Sequence, residues 1–228
     1  MQTIINIQNI AYIYPHATHP VLDDVSFRIE VGQIISLLGA NGCGKSTLLK
    51  LLIKELSPSL GAIHKKGDLK IAYISQNIHQ SFFIELTVQE NLILMGVHFS
   101  TKEETEVYLK TFHRNLYIYI DQPVKMLSGG EKQALVLAIK LYSKPDILLF
   151  DEHTSAMDPK AEEDLMTLTC QKVMEQRITA LMCTHKINLA AKYSTRVIGL
   201  NKGKIMVDLA DMTQGLQKKH LDMIYLDQ

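Results

Sequence analysis

The chain has 228 residues, and its 24 Lys plus Arg balance 24 Asp plus Glu, so there is no broad electrostatic case for nucleic acid or an anionic membrane surface as a partner. That length suits one hydrophobic core with a small subdomain beside it, and two full domains are not expected. No apolar stretch approaches the roughly 18 residues of a membrane span, and the N-terminus lacks the charged-then-apolar order of a signal peptide.

Thr3 to Tyr14 alternates and is rich in Ile and Tyr, which predicts an opening strand or pair of strands, broken by Pro15 and Pro20. His16 and His19, between the prolines, have no third ligand nearby and read as loop. Val25 to Glu30 predicts another strand, Val31-Gly32 a turn, and Ile34 to Leu38 a buried strand. That strand runs through a glycine-rich turn into the leucine-rich helix Thr47 to Leu52, which Ser57-Pro58 and Leu60-Gly61 terminate. Lys70 to Ser75 is a short strand closed by Gln76. The character then turns helical. Thr87 with Glu90 forms a capping box opening a helix over Asn91 to Val97, and Thr101 with Glu104 opens another toward Phe112. Arg114 to Asp121 holds an Ile and Tyr alternation whose state stays open. Ser128 with Glu131 makes a third box before the apolar body Ala134 to Leu141. Ile147 to Phe150 predicts a strand buried on both faces, and Asp158-Pro159 starts a helix with an N-cap and a first-turn proline. Ile178 to Cys183 is a further buried strand; Arg196 to Leu200 and Lys204 to Val207 form a hairpin through Asn201-Lys202-Gly203, and Gln214 to Leu226 is a terminal helix. The three cysteines, Cys43, Cys170 and Cys183, are odd in number and lack metal-ligand spacing, which fits a reducing cytosol.

The chemistry centres on Gly39-Ala40-Asn41-Gly42-Cys43-Gly44-Lys45-Ser46-Thr47, a complete G-x-x-x-x-G-K-S spacing between strand and helix. Gly39, Gly42 and Gly44 let the backbone approach a polyphosphate and aim its N–H groups inward, while the helix N-terminus adds the positive end of its dipole. Lys45 serves as a point charge against the β- and γ-phosphates, and the Ser46 hydroxyl is a ligand for Mg²⁺. A buried strand ending in Asp151-Glu152 supplies the other half of such a site. Asp151 holds the metal, directly or through water, and Glu152 activates the attacking water.

Taken in order, the motifs resemble those of the ATP-binding subunit of an ABC transporter over nearly the whole chain. They are Walker A at Gly39 to Thr47, the Q-loop Gln76, the signature Leu127-Ser128-Gly129-Gly130-Glu131, Walker B at Ile147 to Asp151 with Glu152, the D-loop Ser155-Ala156-Met157-Asp158, and the switch His185. The resemblance implies an α/β fold: a P-loop NTPase core of RecA-like type, with an N-terminal antiparallel β-subdomain and an inserted helical subdomain. Residues 1–228 would be a single ABC ATPase domain, with 1–86 and 141–228 as core and β-subdomain and 87–140 as the helical subdomain bearing the signature. It further implies a head-to-tail homodimer, or a paired ATPase subunit, with ATP and Mg²⁺ at the interface. There Ser128 and Gly130 of one copy close over the γ-phosphate held by the other. Gln76 touches Mg²⁺ or the attacking water, His185 contacts the γ-phosphate, and Tyr14, in preference to Tyr12, stacks on adenine. Asp158 serves the D-loop across the dimer, or only its own helix N-terminus. The implied partners are an integral membrane permease and an extracytoplasmic substrate-binding protein, with the subunit cytoplasmic on the inner face of the membrane.

The sequence departs from the family pattern at Glu131, where glutamine is usual, at Lys140, where arginine is common, and at His153, in place of a proline. The stretch from Asp151 to Pro159, with Leu165 to Glu175, is most similar to ATPases of small importers whose binding proteins take tryptophan or tyrosine. The implied function is ATP hydrolysis powering import of a small solute such as an amino acid. An exporter, a lipoprotein-extraction or cell-division complex, and a soluble non-transport ABC ATPase stay open as alternatives. A C-terminal regulatory domain of the kind some importer ATPases carry is not expected.

Overall fold

The structure, a computed structural model, describes residues 2–152, 158–210, 212 and 215–225. In chain order, β1 (Thr3–Tyr12), β2 (Leu22–Glu30) and β3 (Ile34–Leu38) lead to α1 (Lys45–Leu52), then β4 (Leu60–Lys65) and β5 (Ile71–Ile74). Next come α2 (Val88–Leu94), α3 (Lys102–Lys110), α4 (Gly129–Tyr142), β6 (Ile147–Asp151) and α5 (Pro159–Glu175). The chain continues through β7 (Thr179–Thr184), α6 (Ile187–Tyr193), β8 (Arg196–Asn201), β9 (Lys204–Leu209) and α7 (Lys218–Tyr225). It divides into two compact units, Met1–Ile71 with Asp146–Asp151 and Arg177–Gln228, and Ala72–Pro145 with Glu152–Gln176.

The first unit contains a small antiparallel sheet of order β2-β1-β4 and a larger one in which β6, β7, β3 and β8 run parallel and β9 joins β8 antiparallel. β3, β6, β7 and β8 are buried at every residue, as parallel strands covered on both faces are, and apolar side chains fill most of their positions. Register aligns their C-terminal ends: Leu38 faces Thr184 on β7 and Gly199 on β8, and Asp151 faces Cys183. Arg196 ties the two sheets together. Its guanidinium donates to both carboxylate oxygens of Asp208 on β9, at 2.8 and 2.6 Å, and to the Arg28 carbonyl on β2 at 2.7 Å.

Three expectations change here. Leu60-Gly61 begins β4 instead of only marking the end of the first helix, and there β1 bulges at Gln8–Asn9, with Asn9 at φ 48°, so that its carbonyls press against Gly61. A Cβ at Gly61 would lie 2.3 Å from the Gln8 and Asn9 oxygens, so glycine here answers a close backbone approach. The second change is α6, a short helix without a side-chain cap that carries no boundary signal in the sequence. The terminal helix is shorter than expected and spans Lys218–Tyr225, while Gln214 and Leu226 lie outside the described residues. Among the described residues no helix is long and apolar enough to cross a membrane.

The second unit is helical and is organised by caps and by one buried amide. The Thr87–Glu90 and Ser128–Glu131 boxes are both reciprocal, whereas Thr101 receives the Glu104 N–H and Glu104 turns its carboxylate to the Ser100 N–H instead. Asn91, fully buried, accepts from Phe83 N at 2.7 Å and donates to the carbonyls of Phe83, Leu86 and Thr87, which fixes the entry into α2. Arg114 to Asp121 contains a 3₁₀ turn over Leu116–Tyr119. Lys140 is half-buried on α4, where burial holds its ammonium below the ordinary lysine value.

Asp208→Ala should lower stability by about 2 kcal/mol, since it strands a guanidinium only 10% exposed, although the carboxylate is 37% exposed and partly screened. Chemical denaturation with an unchanged midpoint would rule out the tie between the sheets. Burial also pushes the Cys170 thiol up to about 11. Iodoacetamide near neutral pH should therefore modify it far more slowly in the folded chain than in urea, and equal rates would show the thiol to be accessible.

Candidate active site

β3 ends at Leu38, and the turn that follows depends on two glycines in the left-handed region, Gly42 at φ 79° and Gly44 at φ 110°. Gly42 faces open space, so only its conformation demands glycine. At Gly44 space matters as well, because a Cβ would meet Leu22 Cδ2 at 2.7 Å and the Val21 carbonyl at 2.9 Å. Gly39 is equally confined, 2.3 Å from the Leu200 oxygen by the same measure. The turn is held from outside by the β8–β9 hairpin. Gly203 N–H donates to the Cys43 carbonyl at 3.1 Å, and Asp23 N–H donates to the Gly203 carbonyl at 2.9 Å. Lys204 and Asp23 add an ion pair at 3.0 Å. Neither Gly203 nor Val21–Leu22 was among the expected site residues. The hairpin itself was legible, but its long-range contact with the loop leaves no local pattern.

Lys45 opens α1 with its ammonium buried inside the turn, donating to the Gly39 and Ala40 carbonyls at 2.8 and 2.9 Å. A polyphosphate laid in the turn therefore meets a charge already in place. The next residue, Ser46, donates from Oγ to Asp151 Oδ1 at 3.0 Å, and Asp151 is buried at the end of β6. Asn41 is exposed at the rim of the loop, and Cys43 is buried beneath it. Thr47 Oγ1 shares a 3.1 Å hydrogen bond with the hydroxyl of Tyr14. Tyr12 is a core residue of β1, and Tyr14 packs edge-on against it at 4.9 Å between centroids. Of the two, it is Tyr14 that is exposed beside the loop. His185 follows β7 directly, its side chain exposed, and its carbonyl accepts from the Tyr225 hydroxyl at 3.2 Å. Strand register thus gathers the phosphate turn, Asp151 and His185 at one carboxyl edge of the parallel sheet, where ligands of such sheets bind.

The remaining expected site residues belong to the second unit. Gln76 is exposed just after β5. Glu152 follows Asp151 at φ 46°, a strained conformation for a residue with a side chain. Ser128 N-caps α4, its hydroxyl donating to Glu131 Oε2 at 2.9 Å and accepting the Glu131 N–H at 3.3 Å. Gly130 lies in the first turn of that helix, and Gly129 beside it has no heavy atom within 4 Å of where a Cβ would stand. Asp158 caps α5 through the Ala161 N–H at 3.0 Å. His153 and the D-loop residues Ser155, Ala156 and Met157 lie outside the described residues. His16 and His19 are exposed loop residues, and no cluster of three or more metal-ligating side chains exists among the described residues.

The family described as ABC transporter matches residues 22–155. The tyrosine transport ATP-binding protein of Clostridioides difficile (strain R20291) is 33% identical over 232 residues, covering 91% of this chain and 92% of that protein. The zinc import ATP-binding protein ZnuC of Photorhabdus laumondii subsp. laumondii is 32% identical over 203 residues, or 89% of this chain and 76% of that protein. Among solved structures, cbiO1 from Clostridium perfringens, part of the ABC transporter complex cbiONQ, shares the fold. The TM-score is 0.80 at 23% identity, over 97% of this chain and 93% of that one.

Gly203→Ala should weaken ATP binding about tenfold although the residue lies outside the loop, because a Cβ there needs φ 78° and would sit 2.4 Å from the Val21 carbonyl. Calorimetric titration of ATP into a variant with wild-type circular dichroism tests this. An unchanged Kd would mean that the hairpin does not hold the turn.

Proposed function

Because the chain belongs to the ABC transporter family and is an ABC-type ATPase, we propose that it powers a separate membrane permease that imports a small solute such as an amino acid. The observation that carries the ATPase core of this reading is the Ser46–Asp151 hydrogen bond beside the phosphate turn, while the transport step is supported by the names of the relatives. The hydrogen bond sets a hydroxyl and a carboxylate, both hard oxygen donors of the kind Mg²⁺ prefers, next to the buried Lys45 ammonium. Ser46 and Asp151 would hold Mg²⁺, which when bound neutralises charge on the β- and γ-phosphates. Lys45 and the N–H groups of the turn orient the γ-phosphate, Tyr14 stacks on the adenine, and Asn41, Gly42, Cys43, Gly44 and Thr47 complete the cradle around the phosphates.

Glu152 takes the proton of the attacking water as general base. Its left-handed backbone supports that role, since non-glycine residues hold such strain chiefly where function requires it. Gln76 and His185 orient the water and the γ-phosphate. Ser128 and Gly130 of a second copy close the site head to tail, with Asp158 contributing across the same interface. Gly129 supports this dimer. A first-turn glycine costs a helix up to about 1 kcal/mol, and neither its φ nor a neighbouring atom requires one, which suits close approach by a group from another molecule. We assign residues 87–140 to the helical subdomain of a single ABC ATPase domain. The permease places the subunit on the cytoplasmic face of the membrane, with an extracytoplasmic binding protein delivering the solute. The tyrosine transport relative supports an amino acid as that solute, and the zinc import relative marks a metal ion as the competitor.

Glu152→Gln should lower turnover by about 100-fold or more while leaving ATP affinity intact and stabilising an ATP-bound dimer on gel filtration. Sustained hydrolysis would remove the general base. Lys45→Ala should weaken ATP binding itself, so an unchanged Kd would count against the cradle. For transport, affinity purification from detergent-solubilised native membranes should recover a multi-spanning permease. Recovery only with soluble partners would leave the ATPase and sink the importer.

A further inference from the structure

α7 has no part in the site described above, yet it is fastened at several points to the strands that build that site. Leu221, Ile224 and Tyr225 fall at i, i+3 and i+4, so one face of the helix turns toward the sheet. Ile224 is fully buried in a cluster with Leu38, the residue before the phosphate turn, and with Ala190 of α6, Val197 of β8 and Val207 of β9. Its seat is made by a missing side chain. A Cβ at Gly199, in the middle of β8, would lie 2.5 and 2.6 Å from Ile224 Cγ1 and Cδ1. The Asn201 amide, at the end of β8, donates to the Met223 carbonyl at 3.4 Å. With the helix anchored this way, the Tyr225 hydroxyl reaches the carbonyl of His185 at 3.2 Å. On the other side of the same peptide, Thr184 Oγ1 accepts the Lys186 N–H at 3.0 Å. The backbone of His185 is thus bracketed by two side-chain hydrogen bonds, while its imidazole is exposed.

We infer that Tyr225 is a positioning residue for ATP hydrolysis, with α7 as the latch that sets the orientation of His185 through its carbonyl. The inference rests on the reading of His185 as the group that contacts the γ-phosphate. Without the hydroxyl, the peptide of His185 can rotate and its imidazole spends less time in the productive orientation. ATP binding, which depends on the phosphate turn, is untouched.

The test is a double-mutant cycle in steady-state ATP hydrolysis by the full chain, with Tyr225→Phe, His185→Ala and the pair. Loss of one neutral hydrogen bond acting only on the transition state should lower kcat about 2- to 10-fold. KM for ATP should hold within about twofold, as a change in orientation without a change in binding requires. In the His185→Ala background, removing the hydroxyl should change kcat no further. Wild-type kcat in Tyr225→Phe, with His185→Ala impaired, overturns the positioning role and leaves the reading of His185 standing. Equal losses in both backgrounds overturn it too, because Tyr225 would then act by another route. Full turnover in His185→Ala overturns both the reading of His185 and the inference built on it.

Discussion

The phosphate turn keeps its shape because it is tied to a hairpin more than 150 residues away in the chain, through the Gly203 N–H on the Cys43 carbonyl. A turn that needs Gly42 and Gly44 at positive φ gains nothing from regular backbone pairing, and alone it would exchange among many conformations. Here Val21 and Leu22 pack against Gly44 from one side and Gly203 from the other, so three segments meet without room for a single extra methyl. The result is pre-organisation. A turn held this way need not be ordered when a ligand binds.

Strand register then places the site residues of the first unit. β3, β6 and β7 run parallel, buried on both faces, and end level with one another, so the turn after Leu38, the carboxylate of Asp151 and the peptide of His185 arrive at one edge. Phosphoryl transfer asks a protein mainly for position and charge, which a rigid sheet edge supplies better than a loop. The Ser46–Asp151 hydrogen bond links helix to strand across that edge, and the Lys45 ammonium is held by carbonyls of its own turn.

Polar groups buried outside the site serve order as well. Arg196 satisfies its donors on Asp208 and on the Arg28 carbonyl, which joins the small antiparallel sheet to the large one. Asn91 spends its amide on the chain entering α2. Both are costly to bury unless satisfied, so each admits few alternative arrangements of the segments it joins.

What the sequence by itself determined were features whose physics lies within a few residues. The order of the motifs is one; others are the reciprocal caps at Thr87 and Ser128, the buried runs that became β3, β6 and β7, and the Asn201-Lys202-Gly203 hairpin. Caps act over three positions, a strand's burial shows in its own apolar run, and a hairpin turn declares itself through residues that accept positive φ. Only the tertiary structure decided that Gly61 belongs to a strand, since its need for glycine comes from the bulge of β1. It also decided which tyrosine is exposed beside Thr47, and that Gly203 braces the turn while Gly199 seats α7. In each case the requirement is set by an atom far along the chain, and no local pattern in the sequence records which distant backbone will come within contact distance.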